Sequence, residues 1–367
     1  MKAFKRVFRR VPDPRAANAR HDLCEVLFIA LAATLCGAQS CAEMAEFGQS
    51  KEGFLRLLLP LEHGIPSHDT FSRVFRLLQP NAFEKAFRQF ITGFAKANQL
   101  TTKGVVAVDG KALRGAFERG RQATPLHMVN VWAVEARLCL AQCKAPNRNE
   151  SAGAMEVLAA LDLDGCIVTA DALHCHRGFA ATVRERGGDY VLALKGNRSK
   201  LLAAAEQRFR RGGERSTAER IEPSTHGRHE TRSATVMRVS RFADEADFPG
   251  VKALGRITAR RRGVGKAAGP AVVRYFLLSK YVSAKRLLSI VRSHWSIENQ
   301  LHWILDVVMN EDANRARKDH APENLATLRR LALSVLRAHP DNKSMNRKIK
   351  RAGWDDAFLM SIISHMR

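Results

Sequence analysis

Three acidic residues stand out by type and setting: Asp109, Asp171 and Glu298. Asp109 follows the run Val105-Val106-Ala107-Val108, and Asp171 follows Ile167-Val168-Thr169-Ala170. Each run is short and apolar or β-branched, so each reads as a buried strand ending at its aspartate. Ligands of open α/β sheets collect beyond strand ends. Two carboxylates held at neighbouring strand ends repel each other unless a cation lies between them. Hard oxygen ligands of this kind suit Mg²⁺ or Mn²⁺. Taken singly, Asp109 also reads as a turn residue before Gly110, and Asp171 as the cap of the next helix. The third acid sits in a helical pattern. His294, Glu298, His302 and Asp306 recur every four residues on one face, while Ile290, Ile297, Leu301, Ile304 and Val308 form an apolar stripe. The pattern puts a carboxylate between two imidazoles beside the core; the alternative is a solvated polar face. His174, Cys175 and His176 beside Asp171 offer soft ligands, but the fourth that zinc would need is lacking.

The chemistry has a charged setting. The 367 residues hold 60 Lys+Arg against 36 Asp+Glu, a net charge of +24. Such an excess concerns partners and not fold. It points to a polyanion, nucleic acid before an acidic membrane surface. At 46% hydrophobic residues the chain can bury a sizeable core, which excludes wholesale disorder. Seven cysteines without a CxxC pair read as reduced cytoplasmic thiols. The first 21 residues carry seven Lys/Arg, and an apolar run from Val26 to Cys36 follows. That imitates a secretory signal. However, Asp22 and Glu25 sit where a signal is uncharged, and the run is shorter than the roughly 20 residues that span a bilayer. An amphipathic core helix opened by two carboxylates fits better.

Four segments must position the acids. Residues 1–100 read as a helical module, with helices at 23–36, Cys41–Phe47, from Ser67 to a stop at Pro80, and Phe83–Ala97. Residues 101–211 give the order β-β-β-α-β-α-β, a mixed sheet with helices on its faces. Its later elements are a helix at about Arg177–Arg186 and a strand, Tyr190–Leu194. Residues 212–282 are strand-rich, with runs at Thr231–Val239, Ala253–Ala259 and Val272–Ser279 and a turn around Gly263, Gly265 and Gly269. Residues 283–367 read as a helix to about Met309 followed by basic helices. The basic runs Arg256–Lys266 and Arg329–Arg351 read as general nucleic-acid surface.

Six motifs resemble one family in register over nearly the whole chain. Val106-Ala107-Val108-Asp109-Gly110-Lys111-Ala112-Leu113-Arg114-Gly115 is similar to the first Asp motif of a group of DDE transposases, the insertion-sequence subgroup that includes the H-repeat-associated proteins of Rhs elements. Val168 to His176 resembles its second Asp motif, and Tyr190 to Asn197 the strand that follows. His226-Gly227-Arg228-His229-Glu230-Thr231-Arg232 resembles a motif of its insert. His294-Trp295, Glu298-Asn299, Leu301-His302-Trp303 and Leu305-Asp306-Val307, continued by Glu311-Asp312 and Arg315, resemble its Glu motif. Gly64 to Phe71 resembles its accompanying helical domain.

The resemblance implies an α/β fold: a ribonuclease H-like catalytic core with a β-rich insertion, preceded by a helical N-terminal domain. It implies that Asp109, Asp171 and Glu298 are catalytic and hold two Mg²⁺ or Mn²⁺ ions. It implies double-stranded DNA as partner, both element ends and target, a homodimer in the synaptic complex, no membrane, and work in the bacterial cytoplasm at the nucleoid. Candidate DNA contacts are Lys111, Arg114, Lys195, Asn197, Arg228, Arg292, His294, Trp295 and His302, with Trp295 stacking on an unpaired base or packing at a helix edge. The wider relatives carry Tyr, Arg and Lys around the Glu; those positions here are Val291, His294 and Leu305. The Gln that often follows the second Asp by five residues is His176. A non-transposing nuclease of the same fold and a catalytically silent DNA-binding regulator are the competing functional classes.

Overall fold

A computed structural model describes residues 1–117, 125–225, 228–240, 242, 247–263 and 269–366. Six helices open the chain: α1 (Lys2–Phe8), α2 (Leu23–Leu35), α3 (Cys41–Ser50), α4 (Glu52–Arg56), α5 (His68–Leu77) and α6 (Pro80–Ala97). Next come β1 (Gly104–Phe117), β2 (Pro125–Ala133), β3 (Leu138–Lys144), α7 (Glu150–Ala159), β4 (Cys166–Ala170), α8 (Arg177–Glu185), β5 (Asp189–Leu194) and α9 (Ser199–Arg211). Strands β6 (Arg215–Thr225), β7 (Arg228–Arg238), β8 (Ala253–Gly263) and β9 (Val272–Leu278) follow. Then come α10 (Ala284–His294), a π turn (Glu298–His302), α11 (Trp303–Val307), α12 (Ala321–Ala338), α13 (Met345–Trp354) and α14 (Asp356–His365).

The strands form one sheet in the order β3-β2-β1-β4-β5-β9-β8-β7-β6. The first five follow the ribonuclease H-like order 3-2-1-4-5. In it β2 and β3 pair antiparallel, and β1 with β4 and β4 with β5 pair parallel. The strand-rich stretch does not form a separate layer. It continues the sheet, because β9 pairs antiparallel with β5 and the other three strands follow. One expectation is corrected at β1, which does not end at Asp109. Its parallel pairing with β4 covers only Gly104 to Val108, and the strand then runs on to Phe117. Its other neighbour, β2, lets it continue past the end of β4.

The chain divides into two compact units. One comprises Met1–Thr102, Gly110–Glu150 and Glu298–Arg367. Its centre is α2, which Asp22 caps by accepting from the Glu25 N–H at 2.9 Å. The helix is not amphipathic, as its sequence suggested, because every residue except Glu25 is buried. The reason is that α1, α3, α5, α12 and α13 all pack around it. Phenylalanines 4, 8, 28, 83, 90 and 94 cluster between α1, α2 and α6, with ring centroids 4.2–6.2 Å apart. Pro80 opens α6 at its first turn, where its missing N–H costs nothing. Ser67 caps α5 as expected.

The other unit comprises Lys103–Asp109 and Ser151–Ile297. It adds two elements that patterning did not reveal, α9 and β6. Ser283 caps α10, which lies on β4, β6, β7 and β8. Among the described residues, no helix is long and apolar enough to cross a membrane.

Candidate active site

In the second unit, register brings the two aspartates together. Val108 pairs with Ala170, so Asp109 and Asp171 are the next residues on adjacent parallel strands. Strands lie roughly 4.8 Å apart, and equal register puts both side chains on the same face. Asp171 keeps an extended backbone (φ −70°, ψ 176°), and its Oδ1 accepts from the Leu173 N–H at 2.9 Å. Asp171 therefore caps a 3₁₀ turn as well as facing the strand end. Asn197 Nδ2 donates to the Ala172 carbonyl at 2.8 Å, and Arg198 Nε to that of Cys175 at 2.8 Å, so the end of β5 holds the Asp171 loop. The Asn197 amide is thereby engaged in the fold, whereas Lys195 stands exposed beside it. His294, at the end of α10, places Nδ1 3.1 Å from Thr169 Oγ1 on the strand that leads to Asp171. Arg292 and Trp295 are exposed on the same segment.

The soft ligands near Asp171 are engaged elsewhere. His176 accepts from the Phe179 N–H at 3.3 Å to cap α8 and also bonds Ser151. His174 is buried with its ring centroid 5.4 Å from that of Phe179. Burial pushes the Cys175 thiol up to about 12.

The first unit holds the third acid. Glu298 Oε2 lies 3.3 Å from His302 Nδ1, one turn on. His302 is buried, and its Nε2 lies 3.5 Å from Asn130 Nδ2 on β2. Asn130 Oδ1 accepts from Arg330 Nε at 2.6 Å. Arg330 is 0% exposed and forks onto Glu311, at 2.7 and 3.4 Å. Lys111 is 6% exposed, with Nζ 2.6 Å from Asp306, 3.3 Å from Asp312 and 3.7 Å from Glu311. Burial alone would raise the Glu311 carboxyl, but Arg330, Arg329 and Lys111 outweigh it and hold it below the usual range. Asp306 goes the other way, raised chiefly by burial despite Lys111.

These contacts correct several expectations. Lys111, expected as a DNA contact, is buried with three carboxylates around its Nζ. His302 is likewise an interior side chain. The basic tail is not all surface, since Arg329, Arg330 and Lys348 are buried. Arg114 does stay exposed, while its backbone N–H donates to Asp312 Oδ1 at 3.2 Å. His226, Gly227 and the side chain of Arg228 lie outside the described residues, as does Gly265. The apolar stripe also shifts: Leu305 and Met309 are buried where Ile304 and Val308 were expected. The π turn at Glu298–His302 is the cause, because it adds a residue to one turn and moves the inward face one position on.

The glycines of the first motif are explained by close approach. A Cβ on Gly110 would stand 2.4 Å from the Glu150 carboxyl carbon, and one on Gly115 2.3 Å from the Asn314 carbonyl oxygen. Sequence reasoning did not single out Asn130, named Glu311 only as continuing the Glu motif, and read Arg330 as part of a basic surface run, whereas all three are buried. Asn130 left a signal, a lone amide inside the apolar run Met128-Val129-Asn130-Val131. Arg330 left none, because its burial depends on α12 packing across β3.

Ribonuclease H-like sheets with two aspartates at one strand end make up one fold class. The chain belongs within it to the DDE transposases: residues 100–335 match the family described as "Transposase DDE domain", and residues 5–91 its associated domain. It is similar to "Putative transposase YncI" of Escherichia coli O157:H7, with 33% identity over 96% of this chain and 92% of that protein. It is also similar to "H repeat-associated putative transposase YhhI" of Escherichia coli strain K12, with 30% identity over 96% of each. A cryo-EM structure of a piggyBac transposase synaptic complex with hairpin DNA aligns with a TM-score of 0.44 and 11% identity, covering 98% of this chain and 77% of that one.

Proposed function

We propose that the protein cuts the ends of its mobile element and joins the freed 3′-hydroxyl to target DNA. The observation that carries this reading is the β1–β4 register, which sets Asp109 beside Asp171. The donor set fits divalent cations: two aspartates side by side and a glutamate steadied by an imidazole are hard ligands whose mutual repulsion a cation relieves. Asp109, Asp171 and Glu298 would hold two Mg²⁺ or Mn²⁺ ions. When bound, such a pair activates the attacking oxygen and stabilises the leaving one. In the first step a water oxygen adds to the phosphorus at the element end and the P–O3′ bond breaks, leaving a 3′-hydroxyl and a 5′-phosphate. In the second, that hydroxyl adds to a target phosphorus and displaces the target's own 3′-oxygen.

The other residues of the site bind and orient. Thr169 and His294 fix the strand leading to Asp171, and Asn197 fixes its loop. Exposed Arg114, Lys195, Arg292, Arg260 and Arg262 would meet phosphates, and Trp295 would stack on a base. Two element ends must be joined together, so the working form is a dimer on DNA, acting in the cytoplasm.

The test is a single-turnover reaction of the full chain with flanking genomic DNA. Nicking and joining should both require Mg²⁺, and Asp109→Asn should abolish both. Wild-type nicking without joining would make the protein a nuclease. Full activity of Asp109→Asn would remove the proposed site.

A further inference from the structure

We propose that a cavity in the N-terminal helical region is a binding site for a sugar phosphate, taken either free or as the terminal residue of a DNA strand. The cavity holds about 260 Å³ between α1, the start of α2 and the loop that follows α4. Its walls all belong to one compact unit, and none of them is a residue of the candidate active site. Sites for drug-sized ligands run to roughly 300–1,000 Å³, so this one takes a small molecule or one residue of a chain, and not a duplex.

The lining carries charge of both signs. The His21 and His63 rings stand nearly perpendicular, with centroids 6.3 Å apart. His21 is held below the ordinary imidazole range, first by burial and then by His63, Arg15 and Arg20. Of these cations, Arg15 is already paired with Asp13 at 2.7 Å and donates to the His21 carbonyl at 2.6 Å. Arg20 has no hydrogen-bond or ion-pair partner among the described residues, nor has Arg9 of α1. A guanidinium can only donate, so two unpaired ones bordering a cavity suit an oxyanion. Glu25 has other neighbours. Its carboxyl is raised chiefly by burial and further by Asp22 and Glu62, against the Leu61 N–H and Lys5. Asp22 Oδ1 is occupied by the Glu25 N–H that opens α2, so the helix end is already capped, and Glu25 Oε1 accepts from the Leu61 N–H at 3.4 Å. The second oxygen of each carboxylate, and the exposed Glu62, can accept from a ligand hydroxyl. Cys24, Phe28 and Leu59 add a buried apolar floor. A bare anion would gain nothing from the acids, and a neutral sugar would leave the guanidiniums unmatched. A phosphate ester bearing hydroxyls satisfies both.

The test is calorimetry on the full chain with ribose 5-phosphate, read together with the ring-proton signals of His21 and His63, each assigned by its loss in a His→Gln variant. Binding should shift both signals. Ribose should bind about 10–100-fold more weakly than its phosphate, and Arg20→Gln, at an exposed position, should weaken ribose 5-phosphate by about 10–100-fold. Glu62→Gln should weaken ribose 5-phosphate without weakening inorganic phosphate. No binding, equal binding of ribose, or binding that leaves both histidine signals unmoved would overturn the proposal. So would wild-type affinity in Arg20→Gln. A competing oligonucleotide then identifies the source. Displacement by a 5′-phosphorylated strand, and not by its 5′-hydroxyl form, assigns the site to a strand end. No displacement by either assigns it to a free sugar phosphate. Equal displacement by both would place the ligand on the general DNA surface and remove the site.

Discussion

At the scale of residues, the first Asp motif divides its labour. Asp109 faces the strand end, while Lys111 sits among Asp306, Glu311 and Asp312. Removing one partner from a buried ionic cluster leaves charge uncompensated. Lys111→Met should therefore cost about 3–5 kcal/mol of stability in urea unfolding; a change near zero would show that the cluster needs no cation. The sequence singled out Asp109 and Asp171 only as a pair, since either one alone reads equally as a turn or cap residue, and Asp171 does cap a 3₁₀ turn. It offered Lys111 as a DNA contact, since a lysine two residues past an acid looks the same whether it faces phosphate or a buried carboxylate. The thiols carry a second prediction. Burial pushes Cys36, Cys139 and Cys175 up to about 12, whereas unfolded thiols ionise near roughly 8.5. The folded chain keeps protons that the unfolded chain loses, so stability should fall as pH rises above about 8.5. Urea midpoints at neutral and alkaline pH check this.

At the scale of elements, the π turn sets which face His302 presents. Deleting the exposed Asn299 would let an α turn close and rotate the following residues by about 100°. Metal-dependent cleavage should then fall by about tenfold or more with the fold retained; wild-type cleavage would show that the extra residue has no bearing on the site. Helical periodicity gave the apolar stripe as far as Leu301 and lost its phase beyond it, because a one-residue insertion in a turn leaves no compositional trace. On β8, Arg260 and Arg262 share a face, opposite Thr231 and His229 of β7. Both are exposed. Replacing them with alanine should reduce the salt slope of DNA binding by about 0.9 for each phosphate they neutralise; an unchanged slope would place the DNA elsewhere. The strand run was readable from its alternation. The helix α9 before it was not, since its length and apolar spacing did not stand out from the charged stretch around it.

At the scale of the whole molecule, the +24 charge and the strand topology answer different questions. Charge announced a polyanionic partner without locating where it binds. Topology locates the aspartates, and it was only partly open to reading. Local patterns gave most strands, but the pairing of β9 with β5 joins residues about 85 positions apart, which no local pattern encodes. The two-sided role of β1, paired with β4 over its first half only, was hidden for the same reason. The central claim is that Asp109, Asp171 and Glu298 gather around divalent ions. Loading the protein with Fe²⁺ in place of Mg²⁺ and generating hydroxyl radicals with ascorbate and peroxide cuts the backbone wherever the ion sits. The account predicts cuts beside residues 109, 171 and 298, suppressed by excess Mg²⁺ and lost in Asp109→Asn. Cuts confined to other parts of the chain, or a pattern that Asp109→Asn leaves intact, would contradict it.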